Sequence, residues 1–212
     1  MSSIATNRAV VEAPGAAGYG AAHAPRFDAL DPVAVHGEFL RLATAVGLSG
    51  VRVLDAGAGS GRDARWFAGR GAQVTAVEPG ADLFAHGSAR GGGPRWLRDA
   101  LPDLASLREG ARFDLIWCSA VLAHLSPADQ DRALARFAGL LAPGGRVFMS
   151  LRDGPYPAGR TSYPCDPDRL SSLARRLGLL VLRRRRTPSA QQANRERGVE
   201  WTKLLFAMRI RR

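Results

Sequence analysis

Short apolar segments alternate with segments of helical spacing along most of the chain. Strands are predicted at residues 51–55, 73–77, 95–98, 113–118, 146–151, 179–184 and 199–210. Helices are predicted at residues 31–47, 63–69, 126–141 and 166–178. This alternation is typical of an α/β protein with a doubly wound, mostly parallel sheet of seven strands and helices on both faces. The final hairpin places the last strand antiparallel, at or near an edge.

The N-terminal residues differ in character from the rest of the chain. Residues 1–24 are rich in Ala, Gly and Ser and show no apolar period, which predicts a mobile tail. Residues 25–212 are predicted to form a single domain. Its first helix, residues 31–47, begins at the capping pair Asp31-Pro32 and ends at glycine residues.

Composition excludes several classes of protein. The chain has 212 residues, of which 46% are hydrophobic and 23% charged, so wholesale disorder is excluded. There is no apolar run of about 18 residues for a membrane span and no pattern of a secretory signal. Two cysteines, Cys118 and Cys165, are too few for a disulfide framework and lack metal-ligand spacing. We therefore expect a reduced, cytoplasmic protein without a metal site.

The net charge of +11 is unevenly distributed. Residues 1–168 hold 17 arginines and 17 acidic residues, whereas residues 169–212 hold 12 arginines and one lysine against two glutamates. Lys203 is the only lysine among 30 basic residues. A basic segment suits nucleic-acid binding or a solvated surface, and the charge alone leaves both open.

A glycine loop follows the first strand and precedes a helix. Its pattern is D-x-G-x-G-x-G, formed by Asp55, Gly57, Gly59 and Gly61, and glycines let a ligand approach the backbone closely. A dinucleotide site has a longer spacing and binds a pyrophosphate, which the Asp55 carboxylate would repel. A carboxylate there suits an ammonium group instead. Glu78 ends the second strand, where an acid can accept both hydroxyls of a ribose.

Three further motifs follow in order: Asp99 near the end of the third strand, the run Phe113-Asp-Leu-Ile-Trp-Cys118, and the turn Leu141-Ala-Pro-Gly-Gly-Arg-Val147. With the glycine loop and Glu78, they make residues 51–151 resemble class I S-adenosylmethionine (AdoMet)-dependent methyltransferases. The resemblance implies a Rossmann-like fold, AdoMet as the cofactor and methyl transfer as the activity.

The resemblance also implies roles for individual residues. Gly57, Gly59 and Gly61 would line the methionine and ribose of AdoMet, Asp55 would lie near its ammonium group and Glu78 would bind the ribose hydroxyls.

Further along the chain, Asp99 and the backbone of Ala100 would bind the adenine amino group. Trp96 either packs nearby or belongs to the core. Arg62 would approach the methionine carboxylate, whereas Asp63 is more typical of a charge at a helix N-terminus. Ser119 either contacts AdoMet or only ends its strand.

Candidate acceptor residues follow the fourth and fifth strands, where an open α/β sheet has its crevice. His124 is a candidate general base, with packing at the start of the next helix as the alternative. Arg152, Tyr156 and Arg160 lie in a proline-rich loop and would bind an anionic acceptor, or else form a solvated surface loop.

The N-terminal helix is a candidate lid. The family often covers AdoMet with N-terminal elements, and Arg26, Phe27 and His36 would then face the cofactor.

The arginine run 183–186 lies in a predicted strand, so only two of its four side chains share a face. This favours an exposed edge over a phosphate-binding stripe. Trp201, Leu204 and Phe206 are predicted to be core residues. We therefore expect an AdoMet-dependent methyltransferase for a small-molecule, anionic acceptor, with nucleic acid disfavoured and the oligomeric state open. The alternatives are an RNA or protein methyltransferase and a non-catalytic AdoMet-binding module.

Overall fold

A seven-stranded sheet is the centre of the computed structural model, which describes residues 20–45, 47–156 and 161–210. The strands are β1 (Arg52–Ala56), β2 (Gln73–Val77), β3 (Arg95–Leu97), β4 (Phe113–Ser119), β5 (Leu141–Asp153), β6 (Leu179–Pro188) and β7 (Glu200–Met208). Their order is β3-β2-β1-β4-β5-β7-β6. β7 lies one place from the edge and runs antiparallel to both of its neighbours, β5 and β6. The predicted Rossmann-like fold is confirmed.

The α-helices in the described residues are α1 (Ala24–Asp28), α2 (Pro32–Ala43), α3 (Arg62–Ala68), α4 (Ala81–Ala89), α5 (Pro127–Leu140), α6 (Pro167–Arg176) and α7 (Gln192–Arg195). Four of these seven helices, α2, α3, α5 and α6, lie where the sequence predicts them, whereas α1, α4 and α7 were not predicted. Side chains of Asp31, Ser126 and Asp166 accept backbone N–H groups at the starts of α2, α5 and α6. The predicted cap-and-proline start of α2 is therefore confirmed, and α5 and α6 begin in the same way. No helix in the described part of the chain is long and apolar enough to cross a membrane.

The N-terminal segment differs in detail from its prediction. Of the predicted tail, residues 1–19 lie outside the described residues, while residues 20–24 enter a short 3-10 turn and α1, with Ala24 fully buried. The predicted helix 31–47 ends earlier, at Ala43, since Thr44 (φ −110°, ψ 19°) has left helical geometry. We call residues 20–43 the cap.

Two strands are longer than predicted. The predicted turn at residues 142–145 is part of β5, which pairs with β4 through a register shift between Phe113 and Leu115. The arginine run belongs to β6, which reaches Pro188 because it pairs with β7 up to Glu200. The run therefore lies in the edge strand, as predicted.

Apolar side chains cover both faces of the sheet, so the central strands are buried on each side. One face packs Leu54 and Ile116 under α5 and α6, and the other packs Val53 and Trp117 under the cap and α3. Leu204 and Phe206 are fully buried, which confirms their predicted place in the core.

Candidate active site

A cavity of about 340 Å³ opens at the carboxyl ends of the parallel strands. We call its side formed by the glycine loop and the ends of β2 and β3 the glycine wall. The opposite side, from β5 and β7, is the β5–β7 wall, and the cap closes the top together with the loop between β6 and β7. Most of the predicted site residues line this cavity: Asp55, Gly57, Gly59, Arg62, Glu78, Asp99, Ser119, His124, Arg152 and Tyr156. Gly61 and Ala100 are not part of the lining, and Arg160 lies outside the described residues.

The three loop glycines meet different surroundings. A Cβ on Gly57 would lie 2.5 Å from Val121, and one on Gly61 would lie 2.6 Å from the Trp96 ring. At Gly59, which has φ +57°, a Cβ would meet nothing within 4 Å and would project beside the cavity. Gly59 therefore leaves clearance for a ligand, while Gly61 permits packing against Trp96. The core alternative for Trp96 fits this position.

Glu78 is held by the backbone at the glycine wall. Its Oε2 accepts the Gly59 N–H at 2.8 Å, and its Oε1 accepts the Gly80 N–H at 2.8 Å. Burial raises the pKa of Glu78, although these two hydrogen bonds act in the opposite direction. Each carboxylate oxygen retains a lone pair for a further donor, so the side chain is oriented to bind a pair of hydroxyls.

Asp55 is a buried carboxylate that lines the cavity. Its Oδ2 has no hydrogen-bond partner among the described residues. Burial raises the pKa of Asp55 well above its usual value, and the nearby Asp63 and Glu78 carboxylates add to this. A cation bound at Oδ2 would stabilise the ionised form. The site thus fits the predicted ammonium group.

The Asp99 carboxylate accepts a hydrogen bond from the backbone of the next residue, Ala100. Asp99 lines the cavity, but its Oδ1 accepts the Ala100 N–H at 2.7 Å and its Oδ2 accepts the Ser106 N–H at 2.6 Å. The backbone donor of Ala100 that the sequence assigns to adenine is therefore engaged. Its predicted role requires this bond to open, whereas Asp99 keeps lone pairs for a donor from the ligand.

Arg62 and Asp63 form a buried ion pair at the start of α3. Arg62 Nε lies 2.7 Å from Asp63 Oδ1, and Arg62 Nη2 lies 2.9 Å from Asp63 Oδ2. Asp63 also accepts the Trp117 indole N–H at 3.0 Å. Burial alone would raise the pKa of Asp63, but His36 and Arg62 bring it far below its usual value. Asp63 does lie in the first helical turn as predicted, yet its role in this network exceeds that of a capping charge.

His36 connects the cap to this ion pair. Its Nε2 lies 3.2 Å from Asp63 Oδ2, 3.1 Å from Arg62 Nη2 and 3.3 Å from Ser119 Oγ. Burial lowers the pKa of His36, and Asp63 offsets this only in part, so the ring is neutral near pH 7. The sequence predicts His36 as part of a lid, and its contact with Asp63 was not predicted because the two residues are remote in sequence.

The β5–β7 wall is formed by an aromatic and cationic group. The Arg152 guanidinium lies 4.7 Å from the Tyr156 ring centroid and 5.9 Å from the Trp201 ring centroid. Its Nη2 donates to the Pro155 carbonyl at 2.7 Å, and His124 meets the Tyr156 ring edge-on at 6.0 Å. Trp201 was predicted to be core, but it is half-buried and lines the cavity, because its side chain shares a sheet face with Arg152.

The cap is fastened to the last two strands. Glu38 of α2 forms ion pairs with Arg183 at 2.7 Å and with Arg185 at 2.8 Å, while Lys203 Nζ donates to the Val35 carbonyl at 2.5 Å. Arg26 Nη2 donates to Gln191 Oε1 at 2.5 Å across the top of the cavity. Arg26, Phe27 and His36 all line the cavity, as expected for a lid. Lys203 and Gln191 were missed, because only the docking of the cap brings them to the site.

The four edge arginines are paired with carboxylates on two faces. Arg183 and Arg185 contact Glu38, whereas Arg184 contacts Asp168 on the opposite face. Arg186 lies 2.6 Å from Asp153 Oδ2 and 2.5 Å from Glu200 Oε2. The predicted alternation of faces is confirmed, and the run does not present four unpaired cations to a polyanion. No group of three or more His, Cys, Asp or Glu residues arranged for a metal ion is present among the described residues.

Comparison with known proteins relates this site to one family. Residues 54–147 match the profile of the family described as Methyltransferase domain. A ubiquinone biosynthesis O-methyltransferase of Xanthomonas euvesicatoria pv. vesicatoria is 33% identical over 126 residues, which cover 58% of this chain and 50% of that protein. The chain thus spans about half the length of this relative.

Solved structures share the fold more widely. A Burkholderia thailandensis 1,6-didemethyltoxoflavin-N1-methyltransferase, solved with 1,6-didemethyltoxoflavin and S-adenosylhomocysteine, is 25% identical with a TM-score of 0.61 and covers 80% of this chain and 78% of its own. The [4+2]-cyclase SpnF is 17% identical with a TM-score of 0.65 and covers 82% of this chain and 80% of its own. The fold therefore occurs in proteins that are named for different reactions.

Proposed function

Because residues 54–147 match the family described as Methyltransferase domain, we propose that the chain transfers a methyl group from AdoMet to a small-molecule acceptor. The observation that carries the proposal is the glycine wall. There, the buried Asp55 lines the same cavity as Gly59 and Glu78. The Oδ2 of Asp55 has no hydrogen-bond partner among the described residues, and backbone N–H groups hold the Glu78 carboxylate. The Oδ2 of Asp55 matches an ammonium group. The clearance at Gly59 matches a part of the ligand that passes close to the backbone, and the Glu78 carboxylate matches the two hydroxyls of a ribose. The similar Burkholderia enzyme with bound S-adenosylhomocysteine supports the same ligand class.

AdoMet supplies an electrophilic methyl group on a sulfonium, so the chain's own residues mainly orient the two reactants. Holding them in line can contribute about 7–11 kcal/mol to lowering the barrier. The cap contributes by covering the cavity with Arg26, Phe27 and His36 and so excluding water. Arg62 lines the cavity in a fixed orientation, since Asp63 accepts hydrogen bonds from its Nε and Nη2.

The acceptor binds at the β5–β7 wall in this proposal. The rings of Tyr156 and Trp201 offer flat apolar contact, and Arg152 offers a cation beside them. His124 lies against Tyr156, where it can take a proton from an acceptor that arrives protonated. The two similar methyltransferases are named for ubiquinone biosynthesis and for 1,6-didemethyltoxoflavin, which is consistent with a small-molecule acceptor.

The alternative hypothesis is a macromolecular acceptor. The basic excess at residues 169–212 favours it, but Arg183, Arg184, Arg185 and Arg186 are each paired with a carboxylate. Cys118 and Cys165 are both free thiols, which suits the cytoplasm that the sequence predicts. We therefore place a small-molecule methyltransferase in the cytoplasm.

The test is tritium-labelled AdoMet incubated with the protein and a native cell extract, followed by size fractionation of the product. We expect label in the small-molecule fraction, and none with Gly59→Val, which fills the clearance at the loop. Label in RNA or protein would establish the rival acceptor. Binding of S-adenosylhomocysteine in calorimetry without label in any fraction would indicate a binding module or a different reaction.

A further inference from the structure

The carboxylates that line the cavity lie on one side of it, where Arg62 is paired with Asp63, whereas the described part of the β5–β7 wall carries cations without carboxylates. These carboxylates, Asp55, Asp63, Glu78 and Asp99, all belong to the glycine wall and the adjoining start of α3. The described lining residues of β5 and β7 include no carboxylate, whereas two cations, Arg152 and Lys203, lie there. The cavity therefore offers a negative side and a positive side to its ligands.

Lys203 is a buried cation without a carboxylate partner. Lys203 is only 8% exposed, and its Nζ donates a hydrogen bond to a neutral group, the Val35 carbonyl. No carboxylate of the described residues lies within ion-pair distance of it, although Arg183 and Arg185 on the neighbouring strand share Glu38. An ammonium has three donors, so two remain after the bond to Val35. A buried charge of this kind is unfavourable until a counter-charge arrives.

The choice of residue at position 203 is itself informative. All 29 other basic residues of the chain are arginines, so lysine departs here from the chain's own usage. A planar guanidinium needs space and a bidentate partner, whereas an ammonium is a compact point charge. The position therefore fits a small group of high charge density.

Strand register places Lys203 beside Arg152. On the antiparallel pair, Ser150 faces Lys203 and Arg152 faces Trp201, so the four side chains share one face of the sheet. Lys203 and Arg152 are diagonal neighbours, about 7–8 Å apart at the backbone. The Trp201 ring, which lies 5.9 Å from the Arg152 guanidinium, is on the same face. The two cations and the ring form one continuous surface of the cavity.

We propose that Lys203 and Arg152 form an anion subsite that binds the carboxylate of an aromatic acceptor. The carboxylate supplies the counter-charge that Lys203 lacks, and the Trp201 and Tyr156 rings contact the aromatic part. The identity of this ligand as the acceptor rests on the proposed function. The carboxylate of AdoMet is the other source of the same chemistry. The titration below, made with S-adenosylhomocysteine already bound, distinguishes the two sources.

The single lysine makes a direct test possible. Isotope-labelled lysine, with an expression tag free of lysine, gives one side-chain NMR signal, that of Lys203. Protein saturated with S-adenosylhomocysteine is titrated with benzoate and, as the neutral match, with benzamide. We expect benzoate to shift the Lys203 signal saturably and benzamide to leave the signal in place. We also expect benzoate to bind while S-adenosylhomocysteine is bound.

Two arginine variants complete the test. Arg152→Met keeps the Lys203 reporter and should weaken benzoate binding at least tenfold, while Arg184→Met, at the edge away from the cavity, should leave it unchanged. Three results would overturn the subsite: an unmoved Lys203 signal in benzoate, equal shifts in benzamide, or equal behaviour of the two variants. A full shift by S-adenosylhomocysteine that blocks benzoate would assign Lys203 to the cofactor. Failure of the proposed function is seen separately, as absent S-adenosylhomocysteine binding in calorimetry.

Discussion

His36 Nε2 and Asp63 Oδ2 lie 3.2 Å apart, and this contact joins the cap to the helix that follows the glycine loop. Both side chains are buried, and Asp63 also accepts from Arg62 and Trp117. Removing one partner of a buried charge network costs about 3–5 kcal/mol. We expect Asp63→Asn to lower the free energy of unfolding in urea by that order. The matched control is Asp114→Asn, whose partner Arg52 is half-exposed, and it should cost about 1 kcal/mol or less. Equal losses would show that Asp63 is not the centre of the network.

The neutral state of His36 makes stability depend on pH. Burial lowers its pKa in the folded protein, whereas the unfolded chain has the ordinary value of about 6.5. As the pH falls below about 6.5, the unfolded state takes up a proton that the folded state does not, so stability decreases by up to about 1.4 kcal/mol per pH unit. We expect His36→Gln to lose this part of the decrease. Unfolding of both proteins at several pH values measures it, and parallel curves would contradict the assignment.

Asp55 should couple cofactor binding to proton release. Its pKa is raised by burial and by neighbouring carboxylates, and a bound ammonium group favours the ionised form. Below the raised pKa, S-adenosylhomocysteine must displace a proton and its affinity falls. Calorimetry in two buffers of different ionisation enthalpy should show proton release by the wild type that Asp55→Asn lacks. The same release from both proteins would place the titrating group elsewhere.

The glycine wall should be sensitive to single changes. Glu78→Ala removes the carboxylate that we assign to the ribose and should weaken S-adenosylhomocysteine binding by about 1–3 kcal/mol. Gly59→Val should abolish binding, because its side chain occupies the ligand's clearance. Gly139→Ala is a suitable control, since a Cβ there meets nothing within 4 Å on a regular helix. Wild-type affinity in Glu78→Ala and Gly59→Val would end the cofactor assignment.

Replacing the edge arginines should affect methyl transfer differently on the two faces of β6. The sequence predicts that all four are dispensable for catalysis, and this stays a prediction for Arg184 and Arg186, which contact no cap residue. We expect their double replacement by Ala to leave methyl transfer within about twofold. Arg183→Ala with Arg185→Ala should instead raise KM for AdoMet, because Glu38 loses both partners and the cap loosens. Loss of transfer in the first double variant would favour a polyanionic acceptor.

The parts of the site that the sequence predicts are the local ones. Asp55, Gly59 and Glu78 are placed by a strand, a turn and the end of the next strand, so their spacing alone indicates their positions. The same reasoning gives the strand alternation and the capped start of α2, because those signals lie within a few residues.

Contacts made by docking were beyond such reasoning. The strand pattern predicts Trp201 to be a core residue. Only the pairing register of β5 and β7 shows that it lies beside Arg152 in the cavity. The helix end at Ala43 and the ion pair of Glu38 with Arg185 depend on packing between segments that are far apart in sequence. Neither charge nor periodicity along the chain carries that information.

The fastening of the cap has a consequence for synthesis on the ribosome. Val35 and Glu38 are translated early, but their partners Lys203 and Arg185 come 168 and 147 residues later. The strands that carry the glycine wall are complete well before that, so a nascent chain can form this half before β7 is available to fasten the cap. Until β7 emerges, the cavity stays open on that side, and the cap rests on earlier parts of the chain through contacts such as His36 with Asp63 and Phe39 with Phe148.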